Sequence, residues 1–206
     1  IDEEVILSRK FSTGLQIFHN VNYYTITASY GKPGLEKELV NSYLMKDGSR
    51  FTEKPGFQTM TFLEEIKDRD PRLSQTIRTP GYVRIGGSAP IAPNFGHTVT
   101  GYHVIKFVGD VKYDSYNISE NDMPVIRYAE VLLNYAEAKA ELGTITQADL
   151  DISIKVLRDR VSMPNIQLAA VNANPDAYIA AQYKNVEGVN KGIILEVRRE
   201  RRIELV

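Results

Sequence analysis

The chain has 206 residues, of which 43% are apolar and 25% are charged, so it can build one sizeable core or a large part of a bigger one. Its 25 basic and 26 acidic side chains give a net charge of −1, which argues against a nucleic-acid-binding protein, since such proteins carry a basic excess. The sequence has no cysteine, which excludes disulfides and cysteine-ligated metals, and no apolar run approaches the ~20 residues that span a bilayer.

The first part of the chain is predicted to form short elements joined by a long loop. Residues Glu4 to Phe11 alternate in polarity, which predicts a strand. Residues Ser12 to Gly34 are rich in aromatic side chains and predict a long irregular loop, and loops of this length within a domain are usually functional. Residues Leu35 to Leu44 predict a helix that ends at the turn Lys46-Asp-Gly48.

The next part repeats this mixture of short elements and a loop. Residues Phe62 to Lys67 predict a short helix, and Asp70-Pro71 predicts a turn. Glycines and prolines interrupt the segment from Gln75 to Asn94, which predicts a second irregular loop of extended pieces. Residues Val99 to Val108 have a strand pattern, and Gly96 to Gly101 predict a hairpin turn that leads into it.

The clearest helix pattern covers Asp122 to Leu142. Pro124 has no amide hydrogen to donate and is expected just before the helix or in its first turn, and Gly143 is expected to end it. We predict that its Tyr/Ala face packs against the adjoining helix and that its glutamates are solvated. The face consists of Val125, Tyr128, Ala129, Leu132, Tyr135, Ala136 and Lys139.

Further helices are predicted towards the end of the chain. Thr146 and Asp149 resemble a capping box at the start of a helix that ends near Met163-Pro164 and forms an antiparallel hairpin with its predecessor. Asn174 is predicted to cap a third, short helix, and Lys191 to Val206 predict a fourth. The expected class is mostly α (α+β), with tetratricopeptide-like helix pairs, short strands or hairpins and long irregular loops.

The two irregular loops hold the candidate ligand-binding residues. Sugar recognition uses flat apolar faces that stack on pyranose rings, together with amides, carboxylates or arginine that bind hydroxyls. The side chains of this kind are Tyr23, Tyr24, Tyr30, Tyr82, Arg84, Asn94, Phe95 and His97. The alternative for each tyrosine is that it packs against its own loop.

No pattern in the sequence predicts catalysis, a metal or a cofactor. His97 and His103 are too far apart for a helical zinc pair and have no carboxylate at ligand spacing, so we expect hydrogen-bonded loop histidines. The helical carboxylates Glu130, Glu137 and Glu141 are expected to form surface ion pairs. The basic run Arg198, Arg199, Arg201 and Arg202 alternates with glutamates and predicts a salt-bridged helix face rather than a phosphate site.

Five segments in chain order resemble the SusD/RagB family of nutrient-binding lipoproteins. Pro124-Val-Ile-Arg-Tyr-Ala-Glu-Val-Leu-Leu-Asn-Tyr-Ala-Glu-Ala138 resembles the signature helix of that family. The other similar segments are the entering strand Glu4 to Phe11, the helix-to-turn motif Val40 to Gly48, the "RDPRL" element within Asp68 to Leu73, and the late helix Arg198 to Leu205. Each motif is weak alone, and the ordered set is specific.

The resemblance implies a non-enzymatic surface lipoprotein of the bacterial outer membrane. Such proteins capture an oligosaccharide, or in some members a peptide, during polysaccharide utilisation and pass it to a SusC-like TonB-dependent transporter. They have no nucleic-acid partner, cofactor or metal, and they touch the membrane only through a lipidated N-terminal cysteine. We expect residues 1–206 to be the C-terminal part of such a domain, loop- and strand-rich over 1–120 and helical over 121–206, without the N-terminal helices and the anchor.

Two other classes of function remain open from the residues alone. A helical-hairpin scaffold would bind only protein partners and would offer no small-molecule site. A carbohydrate-active hydrolase would need two carboxylates facing each other across a cleft, and the sequence shows no such pair.

Overall fold

The computed structural model describes residues 4–206 and is mostly α-helical, as predicted. Strands β1 (Val5–Arg9) and β2 (Met123–Arg127) form a two-stranded sheet. The α-helices of the described residues are α1 (Val21–Ile26), α2 (Lys37–Ser42), α3 (Phe62–Glu65), α4 (Pro71–Thr76), α5 (Tyr128–Glu141), α6 (Gln147–Ile152), α7 (Ile154–Asp159), α8 (Leu168–Ala173), α9 (Ala177–Gln182) and α10 (Lys191–Leu205).

The chain forms two compact units, and each is built from two stretches of sequence. The loop unit contains the residues up to Val40 and Leu73–Ile126, and the helical unit contains Asn41–Arg72 and Arg127–Val206. The loop unit consists largely of irregular segments that are joined by isolated bridges, for example between Gly34 and His103 and between Ile77 and Val104. The candidate loops of the sequence belong to this unit.

The helical unit is organised around α10, which packs against α5, α8 and α9. Its core holds the apolar side chains Leu133, Leu150, Ile154, Ile193 and Leu195, all of which are fully buried. Gly192 lets α8 approach α10 closely, because a Cβ atom there would lie 1.9 Å from the carbonyl oxygen of Val171.

A network of buried ion pairs continues this core along α10. The fully buried carboxylate of Glu200 accepts hydrogen bonds from Nε of Arg158, at 2.8 Å, and from Nη1 of Arg72. One turn later, Glu204 pairs with Arg160 at 2.7 Å and with Arg127 at 3.1 Å. Buried charges are tolerated only when they are paired and hydrogen-bonded, so this network fixes the positions of all the segments that contribute to it.

Arg199 of α10 belongs to a second group of buried ion pairs. Its guanidinium donates to Glu196 at 2.8 Å and to Asp176, and Asp176 also accepts the backbone amides of Tyr178 and Ile179 at the start of α9. The basic run of α10 is salt-bridged, as predicted: Arg198 and Arg201 pair with glutamates of α5, and Arg199 forms its ion pairs in a buried position.

The signature segment is part strand and part helix, which corrects the prediction of one helix over 122–142. Pro124 lies in β2, where a two-stranded sheet does not need its missing amide hydrogen, and α5 begins only at Tyr128. The buried face of α5 is formed by its alanines and leucines and packs mainly on α10, whereas Tyr128 and Tyr135 are 51% and 38% exposed. Gly143 ends the helix with φ +69°, as predicted.

The helices after α5 are shorter than predicted. The capping box of Thr146 and Asp149 is confirmed. The single helix expected after it is broken at Ser153, because the Ser153 hydroxyl donates to the carbonyl oxygen of Asp149 and bends the chain. The cap of α9 is Asp176 rather than Asn174, and α8 was not predicted.

Several predictions for the first half also need correction. The loop Ser12 to Gly34 contains α1, and Asp70-Pro71 starts α4 rather than forming a turn, with Pro71 as its first residue. Residues Val99 to Val108 do not form a strand, because they have only isolated bridges to neighbouring segments. Instead of a hairpin, Phe95–His97 form a 3-10 turn.

We expect the substitution Glu200→Gln to lower the free energy of unfolding by about 3 kcal/mol, because it leaves two buried guanidinium groups without their shared anion. Urea unfolding measures this change. The matched control is Glu141→Gln, which removes an exposed partner of Arg198 and should cost less than about 1 kcal/mol. Equal losses of unfolding free energy in both variants would show that the buried ion pairs of Glu200 stabilise the fold no more than the exposed pair of Glu141.

The same network predicts a loss of stability in acid. Burial raises the pKa of Glu200, but the guanidinium groups of Arg158 and Arg72 outweigh it and lower this pKa from 4.5 to about 2. A depressed carboxyl pKa stabilises the fold fully above pH 4.5, and the stabilisation is lost as the pH falls through 2. The stability difference between the wild type and Glu200→Gln should therefore shrink as the pH of the urea titration is lowered, and a constant difference would contradict the assignment.

Candidate functional site

The loop unit gathers tyrosines from separate segments into one group. Tyr23 is central, with its ring centroid 5.8 Å from that of Tyr24, 5.4 Å from Tyr30 and 5.7 Å from Tyr116. Tyr24 and Tyr30 are also neighbours, at 5.8 Å. The outer rings Tyr24, Tyr30 and Tyr116 are 41%, 50% and 61% exposed. We call these four residues the tyrosine cluster.

Local backbone structure brings the first three rings together. Tyr23 and Tyr24 are adjacent in α1, and the chain turns after it, with the amide of Tyr30 donating to the carbonyl oxygen of Thr27 at 3.3 Å. Gly31 follows with φ +39°, and a Cβ atom there would lie 3.0 Å from the carbonyl oxygen of Tyr24. The glycine therefore allows the chain to pass close to α1 and to return the Tyr30 ring towards Tyr23.

The fourth ring is held by the side chain of Asn22, which is buried in α1. Its amide group donates to the carbonyl oxygen of Tyr113 at 2.8 Å and to Asp114 at 3.0 Å, and its oxygen accepts the amide of Gly109 at 2.9 Å. One side chain thus satisfies three groups of the segment that leads to Tyr116. Tyr116 was not among the predicted residues, because nothing local in the sequence connects its segment to α1.

The environment of Tyr23 keeps its hydroxyl protonated. Partial burial raises its pKa, and the neighbouring hydroxyls of Tyr30, Tyr24 and Tyr116 raise it further. A neutral phenol offers both a donor and an acceptor beside the ring face. The cluster therefore combines apolar faces with hydroxyl groups that can bind either donors or acceptors.

Arg84, which was a candidate ligand-binding residue, is occupied by contacts within the protein. Its Nε donates to the carbonyl oxygen of Gly109 at 2.8 Å and its Nη2 to that of Asp110 at 3.2 Å. The same guanidinium forms a bidentate pair with Asp114, with Nη1 at 2.9 Å from the carboxylate. Since Asp114 also binds Asn22, Arg84 connects the second loop to the segment below the tyrosine cluster.

The remaining candidates lie together on the second loop. The amide oxygen of Asn94 accepts from the backbone of Gly96 at 2.9 Å, and its nitrogen lies 3.2 Å from Nε2 of His97. Phe95 is 60% exposed. The half-buried Tyr82 lies under the guanidinium of Arg78, at 5.5 Å from its ring centroid. The structure thus separates the eight predicted residues into Tyr23, Tyr24 and Tyr30 in the cluster and Tyr82, Arg84, Asn94, Phe95 and His97 outside it.

Two histidines meet in this region. The rings of His97 and His103 are T-shaped with centroids 5.6 Å apart, and Nε2 of His103 lies 3.2 Å from the carbonyl oxygen of Thr25 in α1. Burial, followed by the charge of Arg78, lowers the pKa of His103 to about 4. No group of three or more His, Asp or Glu side chains suited to a metal ion exists within residues 4–206.

The carboxylates of α5 are engaged in ion pairs. Glu137 and Glu130 pair with Arg201, and Glu141 pairs with Arg198, as predicted for a solvated helix surface.

Among residues 4–206, no helix has both the length and the apolar character needed to cross a membrane.

Solved structures and family profiles place the chain among known proteins. A SusD-like carbohydrate-binding protein from Bacteroides fragilis is 26% identical, with a TM-score of 0.66 over 98% of this chain and 39% of its own. A second SusD-like protein of B. fragilis is 22% identical and shares the fold, with a TM-score of 0.62 over 98% of this chain and 41% of its own. No curated protein sequence matches the chain.

The chain therefore spans about two fifths of the length of these solved relatives. The predicted class, mostly α with tetratricopeptide-like helix pairs, is confirmed by its helices, its small sheet and this similarity. The profile of the SusD family matches residues 6–206, which is nearly the whole sequence. The chain belongs to the SusD family.

Proposed function

We propose that the tyrosine cluster binds an oligosaccharide. The observation that carries this proposal is the convergence of four tyrosine rings, three from the first loop and Tyr116 from a distant segment, with three of the rings more than one third exposed. Exposed aromatic groups of this size are uncommon on a surface without a binding role. Their ring faces can stack on the apolar faces of pyranose rings, and their hydroxyls can bind sugar hydroxyls.

The composition of the chain is consistent with this use of tyrosine. Glycan sites often rely on indole rings, but this sequence has no tryptophan and 12 tyrosines. Family membership supports the same function, since the B. fragilis relative with the higher TM-score is described as carbohydrate-binding.

We extend the proposal to the cell-surface role that the family resemblance implies. In this role the protein is a lipid-anchored, non-catalytic protein on the outer face of the outer membrane. It captures the glycan and hands it to a SusC-like TonB-dependent transporter. The extensive pairing of its buried carboxylates supports the non-catalytic assignment, because Glu200 and Glu204 are held as anions by arginines rather than poised as an acid–base pair.

We expect Tyr30→Ala and Tyr116→Ala each to weaken oligosaccharide binding about fivefold, because each removes one stacking face worth about 1 kcal/mol. Isothermal titration against a panel of neutral and acidic oligosaccharides measures the dissociation constants. Tyr128→Ala is the matched control, since Tyr128 is equally exposed on α5 but lies outside the cluster.

Unchanged affinity in both cluster variants would remove the tyrosine cluster from the site. The same panel should include short peptides, because the family resemblance implies a peptide ligand in some members. Heat from peptides alone, with none from any oligosaccharide, would replace the glycan proposal with a peptide-binding function.

We expect Arg84→Gln to act through the loops rather than through ligand contact. The substitution breaks the bidentate pair with the partly exposed Asp114 and should lower stability by about 1 kcal/mol. Hydrogen exchange should accelerate in the segment 109–116, and oligosaccharide affinity should fall with it. Lost affinity at unchanged exchange rates would instead indicate that Arg84 contacts the ligand.

A further inference from the structure

Arg78 is a buried cation without an acidic partner. The residue is only 7% exposed, yet among residues 4–206 it forms no ion pair with a carboxylate. Its Nη1 donates to the carbonyl oxygen of Ala92 at 3.2 Å, and its guanidinium lies over the ring of Tyr82. Its buried Nε–H has no hydrogen-bond acceptor. An uncompensated buried charge is costly, so an arginine in this state is a strong indication of an absent anion.

The helical unit shows how this protein normally treats such groups. The buried guanidinium groups of Arg72, Arg158 and Arg199 all have a carboxylate within hydrogen-bonding distance. Arg78 departs from this pattern. It also lies in the unit that carries the candidate ligand-binding residues.

A second free donor lies close to Arg78. The amide oxygen of Asn94 accepts from Gly96, so its nitrogen faces Nε2 of His97 as a donor. Nε2 of His97 must therefore accept, and the neutral ring carries its hydrogen on Nδ1. That buried Nδ1–H has no acceptor in the described part of the chain.

The surroundings of the histidines are cationic. Burial lowers the pKa of His97, and the charges of Arg78 and Lys32 lower it further. Among residues 4–206, no carboxylate offsets these charges at either His97 or His103. We call the cations Arg78 and Lys32, together with the neutral rings of His97 and His103, the cationic cluster.

The cationic cluster is joined by backbone contacts to the segments that carry the tyrosines. The amide of Arg78 donates to the carbonyl oxygen of His103 at 2.8 Å, and His103 in turn contacts Thr25, the residue after Tyr24. Lys32 lies two residues after Tyr30, and its carbonyl oxygen accepts from Val99 at 3.3 Å. The cationic cluster and the tyrosine cluster therefore belong to one hydrogen-bonded frame of loop segments.

We propose that the cationic cluster binds an anionic substituent, a carboxylate or a sulfate ester, and that the glycan recognised by this protein is acidic. The inference rests on the proposed glycan-binding function and names its substrate class. Arg78 and Lys32 supply the charge that attracts such a substituent. The tyrosine rings bind the sugar faces, and the cationic cluster selects for charge.

Titration with paired oligosaccharides tests the substrate class. Each uronate-containing oligosaccharide is compared with its carboxyl-reduced form, and each sulfated one with its desulfated form, which also separates the two sources of anion. We expect at least one acidic member to bind about tenfold more tightly than its neutral partner. The preference should decline as sodium chloride is raised.

Variants then assign the preference to the cluster. Arg78→Gln should abolish the preference for the acidic member, and Arg9→Gln, at an exposed arginine of β1 in the same unit, should leave the preference unchanged. Circular dichroism establishes whether Arg78→Gln is folded. If it is not, Lys32→Gln, at a half-buried loop position, provides the same comparison and should reduce the preference.

The outcomes separate this inference from the proposed function. Equal affinity within every pair, or binding of neutral members only, would overturn the acidic-glycan inference and leave oligosaccharide binding intact. An acidic preference that survives in both Arg78→Gln and Lys32→Gln would move the anion site elsewhere and overturn the assignment. Binding to none of the oligosaccharides would overturn both proposals.

Discussion

The constraint on which the structure depends is that a charge taken out of water must meet an opposite charge. In the helical unit, Glu200 and Glu204 on α10 meet this requirement through arginines from distant parts of the sequence. The helix is therefore positioned by directional contacts as well as by apolar packing against α5, α8 and α9. Such a network specifies one arrangement of its segments, because any displacement would leave a buried charge unpaired.

The loop unit follows a different principle. It has few residues in regular structure, and its segments are held by side chains that bind backbone groups, above all Asn22 and Arg84. This construction leaves aromatic side chains exposed at the surface, whereas an apolar core would have buried them. A rigid frame of hydrogen bonds beneath exposed rings suits the binding of a flat polar ligand, because the rings are already in place before it arrives.

Much of the fold could be predicted because it depends on local signals. The capping box of Thr146 and Asp149 and the glycine stop at Gly143 act within one or two turns of a helix, and both predictions were correct. The prediction failed where distant contacts override local preference. Pro124 is compatible with a helix start in isolation, but pairing of β2 with β1 places it in a strand. The site predictions had the same limit, since Tyr24 and Tyr30 share a loop whereas Tyr116 belongs to a distant segment that meets α1 only in the folded chain, through contacts such as those of Asn22.

The sequence by itself determined the family, the mostly helical class and the two aromatic loops, because short motifs and periodic patterns are properties of neighbouring residues. The tertiary structure decided which charges are buried and which aromatic rings meet. Arg199 and Arg201 are two positions apart in one basic run, yet one is buried against Asp176 and the other lies at the surface beside Glu137. Nothing in the sequence around Arg78 sets it apart, and it becomes informative only because the fold buries it without an acidic partner among residues 4–206. The energy of a charge depends on its solvation and its neighbours rather than on its place in the chain.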